Sequence, residues 1–203
     1  MYHFLALKTD LQGKHVLEVG SGRGGGAKHV AGALKPASYV GMDLAQNAVD
    51  LANKLHHLPN LKFIQGSAEE IPLADNSIDV VLNVESCHAY GSVEKFISEV
   101  KRVLKPNGIF ALVDFRDTEK MDVLRDQLKN SGLTWVEEEN ITSNVIQAIE
   151  EEDDVKKARI KKLFPPKWQK LFGEFAGVVG STFHTKLKNG VKVYHRFVLK
   201  KPA

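Results

Sequence analysis

Residues 16–26, which read VLEVGSGRGGG, decide the fold of this chain. Val16 to Val19 are apolar except for Glu18, and this run predicts a short buried strand. The glycines that follow predict a tight turn, because glycine adopts left-handed backbone and lets a ligand approach the main chain. Residues 26–34 then show helical spacing. A strand, a glycine turn and a helix open a nucleotide-binding βαβ unit, whose N–H groups suit a polar or anionic ligand.

Two acidic residues sharpen this prediction. The spacing Gly20-x-Gly22-x-x-Gly25 matches the dinucleotide fingerprint, which alone is a weak signal because glycine-rich turns are common. Glu18 lies two residues before Gly20, where most nicotinamide-binding folds keep an apolar residue. Asp43 ends the next predicted strand, and a carboxylate there can accept both ribose hydroxyls of an adenosine. The alternative is a Rossmann-like domain that binds another nucleotide, or none.

Length and composition predict one ordinary globular domain over residues 1–203. Hydrophobic residues make up 43% of the chain and charged residues 26%, and the net charge of +3 is too small to argue for nucleic acid. Cys87 is the only cysteine, which excludes an intramolecular disulfide. The sequence has no apolar run of about 18 residues and no secretory signal pattern, so a cytoplasmic protein is expected.

Strands and helices alternate through the chain, which predicts an α/β fold with a parallel sheet and helices on both faces. Ligands of such sheets bind beyond the carboxyl ends of the strands. The predicted strands are 16–19, 39–43, 61–65, 77–84, 109–115, 134–141 and 191–199, with a turn at 105–108. The predicted helices are 26–34, 44–56, 93–104, 119–128 and about 142–163. Apolar residues at helical spacing over 168–179 predict a further helix.

The chain resembles class I S-adenosylmethionine-dependent methyltransferases over about residues 14–115 and at its end. This resemblance implies a doubly wound, Rossmann-like sheet of seven strands, mostly parallel with an antiparallel last strand, and S-adenosyl-L-methionine as cofactor. The segments VESCHAY and ENITSNV look like those of a narrower group, which includes phthiotriol-type and fatty-acid O-methyltransferases, with sterol and quinone methyltransferases as more distant relatives. The broader motifs are VLEVGSG at 16–22, GMD at 41–43, GSAE and IPL within 66–73, DVV at 79–81 and VLKPNG at 103–108.

The resemblance also implies a map of the cofactor site. The family often has an acid where this chain has Ser67, and a hydroxyl can accept the same hydrogen bond from the adenine amino group. The alternative for residues 66–70 is that they only cap a helix. The implied contacts are Glu18, Gly20, Ser21 and Gly22 at the amino-acid end, Asp43 at the ribose, Leu44 against the adenine, Ser67, Ala68 and Glu69 at the adenine edge, and Asn83 and Val84 beneath the methionine portion.

His88 is the candidate catalytic base. Methyl transfer to a hydroxyl needs an aligned acceptor, exclusion of water and removal of a proton, and it needs no metal. His88 follows the fourth strand, where the acceptor should meet the methyl group, and an imidazole can take a proton near neutral pH. A histidine that only shapes the pocket or faces solvent is the alternative. Glu85 is a weaker candidate, which can instead contact the cofactor or a helix start. The sequence shows no convincing metal cluster.

The last third of the chain is expected to select the acceptor. Helices at about 142–180 would cover the pocket, and their apolar stripe from Trp168 to Val179 indicates either core packing or a bulky, lipid-like acceptor. An N-terminal lid is expected to be short or missing. Residues 83–86 lack the two prolines and aromatic residue of methyltransferases that modify bases in DNA, so no nucleic-acid partner is expected.

The sequence therefore predicts a methyltransferase that acts on a small or lipid-like acceptor, at a hydroxyl or carboxyl oxygen. Methylation of carbon or nitrogen, and a catalytically silent cofactor-binding protein, remain alternatives. A nicotinamide oxidoreductase is a more distant one, against which Glu18 argues. Contact with a membrane surface and the oligomeric state are left open.

Overall fold

A computed structural model describes residues 1–203, which form seven strands and nine α-helices. The strands are β1 His15–Val19, β2 Ser38–Asp43, β3 Leu61–Gln65, β4 Ile78–Val84, β5 Leu104–Asp117, β6 Thr134–Asn140 and β7 Lys192–Lys200. The helices are α1 Tyr2–Ala6, α2 Gly25–Leu34, α3 Gln46–Leu55, α4 Val93–Val103, α5 Thr118–Lys129, α6 Thr142–Glu151, α7 Asp153–Leu163, α8 Pro166–Ala176 and α9 Thr182–Lys188. A 3-10 turn, Cys87–Ala89, lies between β4 and α4.

All seven strands belong to one sheet in the order β3-β2-β1-β4-β5-β7-β6. β1 pairs in parallel with β2 on one side and with β4 on the other, so the strand order reverses at this point. β7 is antiparallel to β5: the Asn107 N–H donates to the Lys201 carbonyl at 3.0 Å, and the Lys201 N–H donates to the Gly108 carbonyl at 2.9 Å. The doubly wound, mostly parallel sheet predicted from the sequence is confirmed. Ligands of such sheets bind at the reversal point, beyond the carboxyl ends of the strands.

The central strands and α4 form much of the core. Four of the five residues of β1 and six of the seven of β4 are buried, as expected of parallel strands covered on both faces. α4 buries Phe96, Ile97, Val100 and Val103 on one side, because these residues recur at helical spacing. Each large apolar side chain buried in this way contributes about 1.5–3 kcal/mol.

The chain divides into two compact units. The first comprises Met1–Asp114, Asp122–Glu139 and Arg196–Ala203, and the second comprises Phe115–Met121 and Asn140–His195. Within the second unit, the ring of Phe115 lies 5.3 Å from that of Phe183 and 5.4 Å from that of Tyr194. No helix of the structure is both long enough and apolar enough to cross a membrane.

Two boundary predictions were wrong. A single helix was expected from about 142 to 163, but the structure has two, which are separated at Glu152. The second begins at Asp153, whose carboxylate is directed inward and accepts the Val179 N–H at 2.8 Å, a contact that the local pattern does not encode. The expected turn at 105–108 instead lies within β5, where the pairing with β4 shifts register between Ile78 and Val80. α9 was not predicted.

Two tyrosine hydroxyls hold the carboxylate of Glu18 inside the first unit. Tyr2, in α1, donates to Glu18 Oε1 at 2.9 Å, and Tyr39, in β2, donates to Oε2 at 2.6 Å. Glu18 has no exposed surface, and this burial raises its pKa from 4.5 to about 7, although both tyrosine hydrogen bonds oppose the shift. Burial and the Glu18 carboxylate also raise the pKa values of both tyrosines. Glu18 therefore joins α1, β1 and β2 at an electrostatic cost.

We predict that Glu18 makes the protein less stable as the pH rises. Between 4.5 and about 7 the folded state holds the Glu18 proton more firmly than the unfolded state, so the free energy of unfolding falls with increasing pH. The loss approaches about 1.4 kcal/mol per pH unit. Denaturant unfolding of the wild type and Glu18→Gln across this range measures the difference between them. At pH values under about 7, the stability of the wild type relative to Glu18→Gln should fall as the pH rises, and at higher pH the difference should stay constant. A difference that favours the wild type more as the pH rises would contradict the assignment.

Arg102, in α4, binds the segment that follows β3 to this helix. Its guanidinium donates to the Ile71 carbonyl at 2.7 Å and to the Leu73 carbonyl at 2.8 Å. It also pairs with Asp75 and with Glu99, whose carboxylate accepts the Ile71 N–H at 2.7 Å. These bonds raise the pKa of Arg102 and lower that of Glu99. One planar cation thus connects three groups of the segment directly to α4: the Ile71 carbonyl, the Leu73 carbonyl and the Asp75 carboxylate.

Arg102→Lys should lower the free energy of unfolding by about 1–3 kcal/mol, because an ammonium cannot reproduce the planar set of donors. Urea unfolding monitored by circular dichroism measures the loss. Lys95→Gln, which removes a cation of the same helix that is 71% exposed, serves as the control and should change stability by less than about 0.5 kcal/mol. Equal losses in the two variants would contradict the role given to Arg102.

Candidate active site

The glycine turn after β1 is shaped by left-handed backbone at Gly20 (φ 79°) and Gly22 (φ 53°). The Gly20 N–H donates to the Met42 carbonyl at 2.8 Å, which joins the turn to β2. A Cβ at Gly20 would lie 2.4 Å from Ser86 Oγ, so only glycine lets the loop after β4 close on the turn. A Cβ at Gly22 would meet nothing within 4 Å, so this side of the turn is open to a ligand. α2 begins just beyond, at Gly25.

Asp43 connects the glycine turn to the loop after β2. Its Oδ2 accepts the Gly22 N–H at 2.8 Å, and its Oδ1 accepts the Ala45 N–H at 2.9 Å. Each carboxylate oxygen has a further lone pair, so the half-buried Asp43 can still accept hydroxyl donors from a ligand. Leu44 beside it is 70% exposed and offers an apolar surface to a flat ring. The structure thus brings Gly22, Asp43 and Leu44 together at the reversal point of the sheet.

Asn83 and Ser21 present polar atoms that the protein does not satisfy. Asn83 Nδ2 lies 2.9 Å from the Val19 carbonyl, from Ser86 Oγ and from Tyr90 Oη. In contrast, Asn83 Oδ1 and Ser21 Oγ are buried without a hydrogen-bond partner in the protein. Buried polar atoms are normally paired. A ligand with ammonium and hydroxyl donors would supply partners here, and S-adenosylmethionine carries both groups, so these residues fit it.

The loop after β3 is ordered by its own hydrogen bonds. Ser67 Oγ accepts the Glu69 N–H at 3.1 Å, and Ala68 is buried. Glu69 Oε1 accepts the N–H of Ser92, the residue before α4, at 2.9 Å. The carboxylate of Glu69 is therefore used at the start of α4, whereas Ser67 and Ala68 stand directly after β3, at the carboxyl edge of the sheet.

Glu18, which is expected to contact the amino-acid end of the cofactor, is fully buried. It lies on β1 next to the turn, but Tyr2 and Tyr39 each donate to one of its carboxylate oxygens. The contacts of Tyr2 and Tyr39 with Glu18 were not predicted from the sequence.

The 3-10 turn after β4 is folded around the buried carboxylate of Asp114, in β5. His88 Nδ1 lies 2.8 Å from Asp114 Oδ1, and the His88 N–H donates to Oδ2 at 2.9 Å. Cys87 Sγ donates to Oδ2 at 2.9 Å. Because a carboxylate accepts hydrogen bonds, Nδ1 carries the proton and Nε2 carries the lone pair, so the ring is oriented as a base.

Asp114 was not predicted from the sequence as a site residue. The available signal was a lone acid near the carboxyl end of an otherwise apolar strand, 109–115, in a fold whose ligands bind at that edge. The partnership with His88 spans 26 residues and was not visible in any local pattern.

Glu85 begins the same loop in a strained conformation. Val84, the last residue of β4, is buried, and Glu85 follows it with φ 51°, a left-handed conformation uncommon outside glycine. The Glu85 N–H donates to the Val113 carbonyl at 2.8 Å, which holds this strained residue in place. Such strain often marks functional loops.

Comparisons with known proteins point to methyltransferases. A family model described as "Methyltransferase domain" matches residues 17–112. The chain is 36% identical over 201 residues to the phthiotriol/phenolphthiotriol dimycocerosates methyltransferase of Mycobacterium tuberculosis, covering 99% of this chain and 74% of that protein. It is 32% identical over 206 residues to a fatty-acid O-methyltransferase of Mycolicibacterium smegmatis, covering 100% of this chain and 73% of that protein.

A solved structure shares the fold at lower identity. Phosphoethanolamine N-methyltransferase 2 of Haemonchus contortus, in complex with S-adenosyl-L-methionine, superposes with a TM-score of 0.83 at 18% identity, over 100% of this chain and 52% of that one. On these grounds the chain belongs to the class I S-adenosylmethionine-dependent methyltransferases, and S-adenosylmethionine is its cofactor.

Proposed function

We propose that the protein transfers a methyl group from S-adenosylmethionine to a hydroxyl oxygen of a small, lipid-like molecule. The pairing of His88 with the buried Asp114 supports this proposal most strongly, because a hydroxyl acceptor requires a base. A carboxyl acceptor would already be ionised near neutral pH and would need no such residue. The names of two relatives, a fatty-acid O-methyltransferase and a dimycocerosates methyltransferase, support an apolar acceptor.

The cofactor would be held at the turn and the strand ends. Asp43 would accept its ribose hydroxyls, Leu44 would pack against its adenine, and Ser67 and Ala68 would contact the adenine edge. Asn83 Oδ1 and Ser21 Oγ would accept donors that the protein itself does not supply. When bound, the cofactor supplies an electrophilic methyl group on a sulfonium, whose leaving group is a neutral thioether.

His88 would act as the general base. Nε2 would take the hydroxyl proton of the acceptor as the oxygen of that hydroxyl receives the methyl group. Asp114 holds the ring through Nδ1 and stabilises the imidazolium that results, which makes it a positioning residue. Glu85 is kept as a weaker candidate for the base, since it begins the same loop.

Two further parts of the proposal concern the rest of the chain. The helical segment at about 142–180 would cover the acceptor, an assignment supported by its place between the last two strands. The cytoplasm is the proposed compartment, and the buried thiol of Cys87, which is not in a disulfide, is compatible with it.

Asp43→Ala should weaken S-adenosylhomocysteine binding tenfold or more, about 1.4 kcal/mol, since the ribose hydroxyls and the Gly22 N–H lose their acceptor. Isothermal titration calorimetry measures the change. Asp50→Ala is the matched control, because this carboxylate, in α3, only accepts from Gln46. Unchanged affinity in Asp43→Ala would contradict the cofactor site.

His88→Gln should lower kcat by about 10²–10⁴-fold while leaving S-adenosylhomocysteine affinity unchanged, because only proton removal is lost. Asp114→Asn should lower kcat, since an amide neither fixes the His88 tautomer nor stabilises the imidazolium. Methyl transfer to long-chain alcohols provides the assay, and His57→Gln, at an exposed loop histidine, is the control. If His88→Gln retained full kcat on every hydroxyl acceptor, or if only carboxyl acceptors reacted, the proposed role of His88 would be wrong.

A further inference from the structure

Two consecutive helices of the second unit leave their apolar side chains exposed. In α7 and α8, called here the α7–α8 pair, only Asp153 and Gly173 are buried. Phe164, between the helices, stacks on Phe172 of α8 with ring centroids 3.6 Å apart, so the pair has its own small apolar contact. Several large apolar side chains left exposed on neighbouring helices indicate an interaction site.

The exposed apolar residues of α8 share one face. Trp168, Leu171 and Phe175 follow each other at i, i+3 and i+7, the spacing of one helical face. They are 47%, 57% and 90% exposed, and Leu163, at the end of α7, is 62% exposed. A tryptophan, a leucine and a phenylalanine on one face are the residues that anchor helices at a membrane interface.

The surroundings of this face are strongly basic. The α7–α8 pair and its connection, Asp153–Ala176, contain seven basic side chains and three acidic ones, Asp153, Asp154 and Glu174, whereas the net charge of the whole chain is only +3. Two of the seven form ion pairs, Lys156 with Glu152 and Lys157 with Asp153. The other five form no ion pair: Arg159, Lys161, Lys162, Lys167 and Lys170.

The positive charge of the α7–α8 pair favours one kind of partner for its apolar face over the others. A second copy of the chain would bring an equally basic pair against this one, and the like charges would repel. A polyanion without apolar surface would leave Phe175 in water. A bilayer surface with anionic lipids offers negative headgroups to the lysines and an acyl boundary to the apolar residues.

We propose that the α7–α8 pair docks on anionic membrane surfaces. Trp168, Leu171 and Phe175 enter the boundary between headgroups and acyl chains, while the lysines and Arg159 contact the anionic headgroups. The lysine stems lie along the apolar surface and keep their ammonium groups among the headgroups. This inference goes beyond the proposed methyl transfer and does not depend on it, because membrane binding is measured without acceptor or cofactor.

Flotation of the full chain with lipid vesicles tests the proposal. The protein should float with vesicles of phosphatidylcholine mixed with phosphatidylglycerol, and much less with phosphatidylcholine alone. Added salt should release it, because screening weakens the attraction between the lysines and the headgroups. The double variant Trp168→Ser/Phe175→Ser should lose binding tenfold or more. The triple variant Lys161→Gln/Lys162→Gln/Lys167→Gln should lose the preference for phosphatidylglycerol.

Matched controls remove the same residue types elsewhere. Leu55→Ser/Val123→Ser replaces apolar residues that are 55% and 56% exposed on other helices, and it should bind like the wild type. Trp135 and Trp168 are the only tryptophans, so Trp135→Phe makes Trp168 the sole fluorescent reporter. Its emission should shift to the blue on vesicles that contain phosphatidylglycerol.

Three outcomes would overturn the proposal. The first is no flotation with the anionic vesicles at low salt. The second is flotation that Trp168→Ser/Phe175→Ser does not reduce. The third is a dimer, detected by light scattering, that the same double variant abolishes, because the face would then be covered by a second copy.

Discussion

The candidate site depends on one buried carboxylate, that of Asp114. Three donors converge on it: the Cys87 thiol, the His88 N–H and His88 Nδ1. Burial of a carboxylate is costly unless hydrogen bonds compensate, so the chain after β4 is drawn into a 3-10 turn that supplies them. The same turn brings Ser86 against Gly20, which explains why this position of the turn must be glycine. A single electrostatic requirement therefore fixes the histidine and shapes the glycine turn.

The cofactor side of the site depends on a second carboxylate, that of Asp43, which orders the glycine turn instead of orienting a base. Asp43 accepts the Gly22 and Ala45 N–H groups and so presets the turn before a ligand arrives. Its neighbours are left incomplete: Asn83 Oδ1 and Ser21 Oγ are buried without partners. A protein that pays for such atoms in stability recovers the cost when a ligand binds. Asp43 thus pre-organises the site, and the unsatisfied atoms favour an occupied state.

The sequence predicted those parts of the fold that depend on local patterns. The strand and glycine turn at 16–26, the strand that ends at Asp43 and the helix from Val93 all follow from periodicity and were found. The contacts missed join residues far apart in the chain: Asp114 with His88, Tyr2 and Tyr39 with Glu18, Glu69 with Ser92, and Asp153 with Val179. Hydrogen bonds of this kind leave no periodic trace. His88 was identified by its position after the fourth strand, but what makes its ring a base could only be seen in three dimensions.

The most direct test of this account is the tautomer of the His88 ring, read from its ¹⁵N chemical shifts and ring couplings by NMR at neutral pH. We expect a proton on Nδ1 and a lone pair on Nε2 in the wild type, and loss of this fixed tautomer in Asp114→Asn. A wild-type ring with its proton on Nε2, or a tautomer that Asp114→Asn does not alter, would contradict the claim that the buried carboxylate prepares His88 as the base.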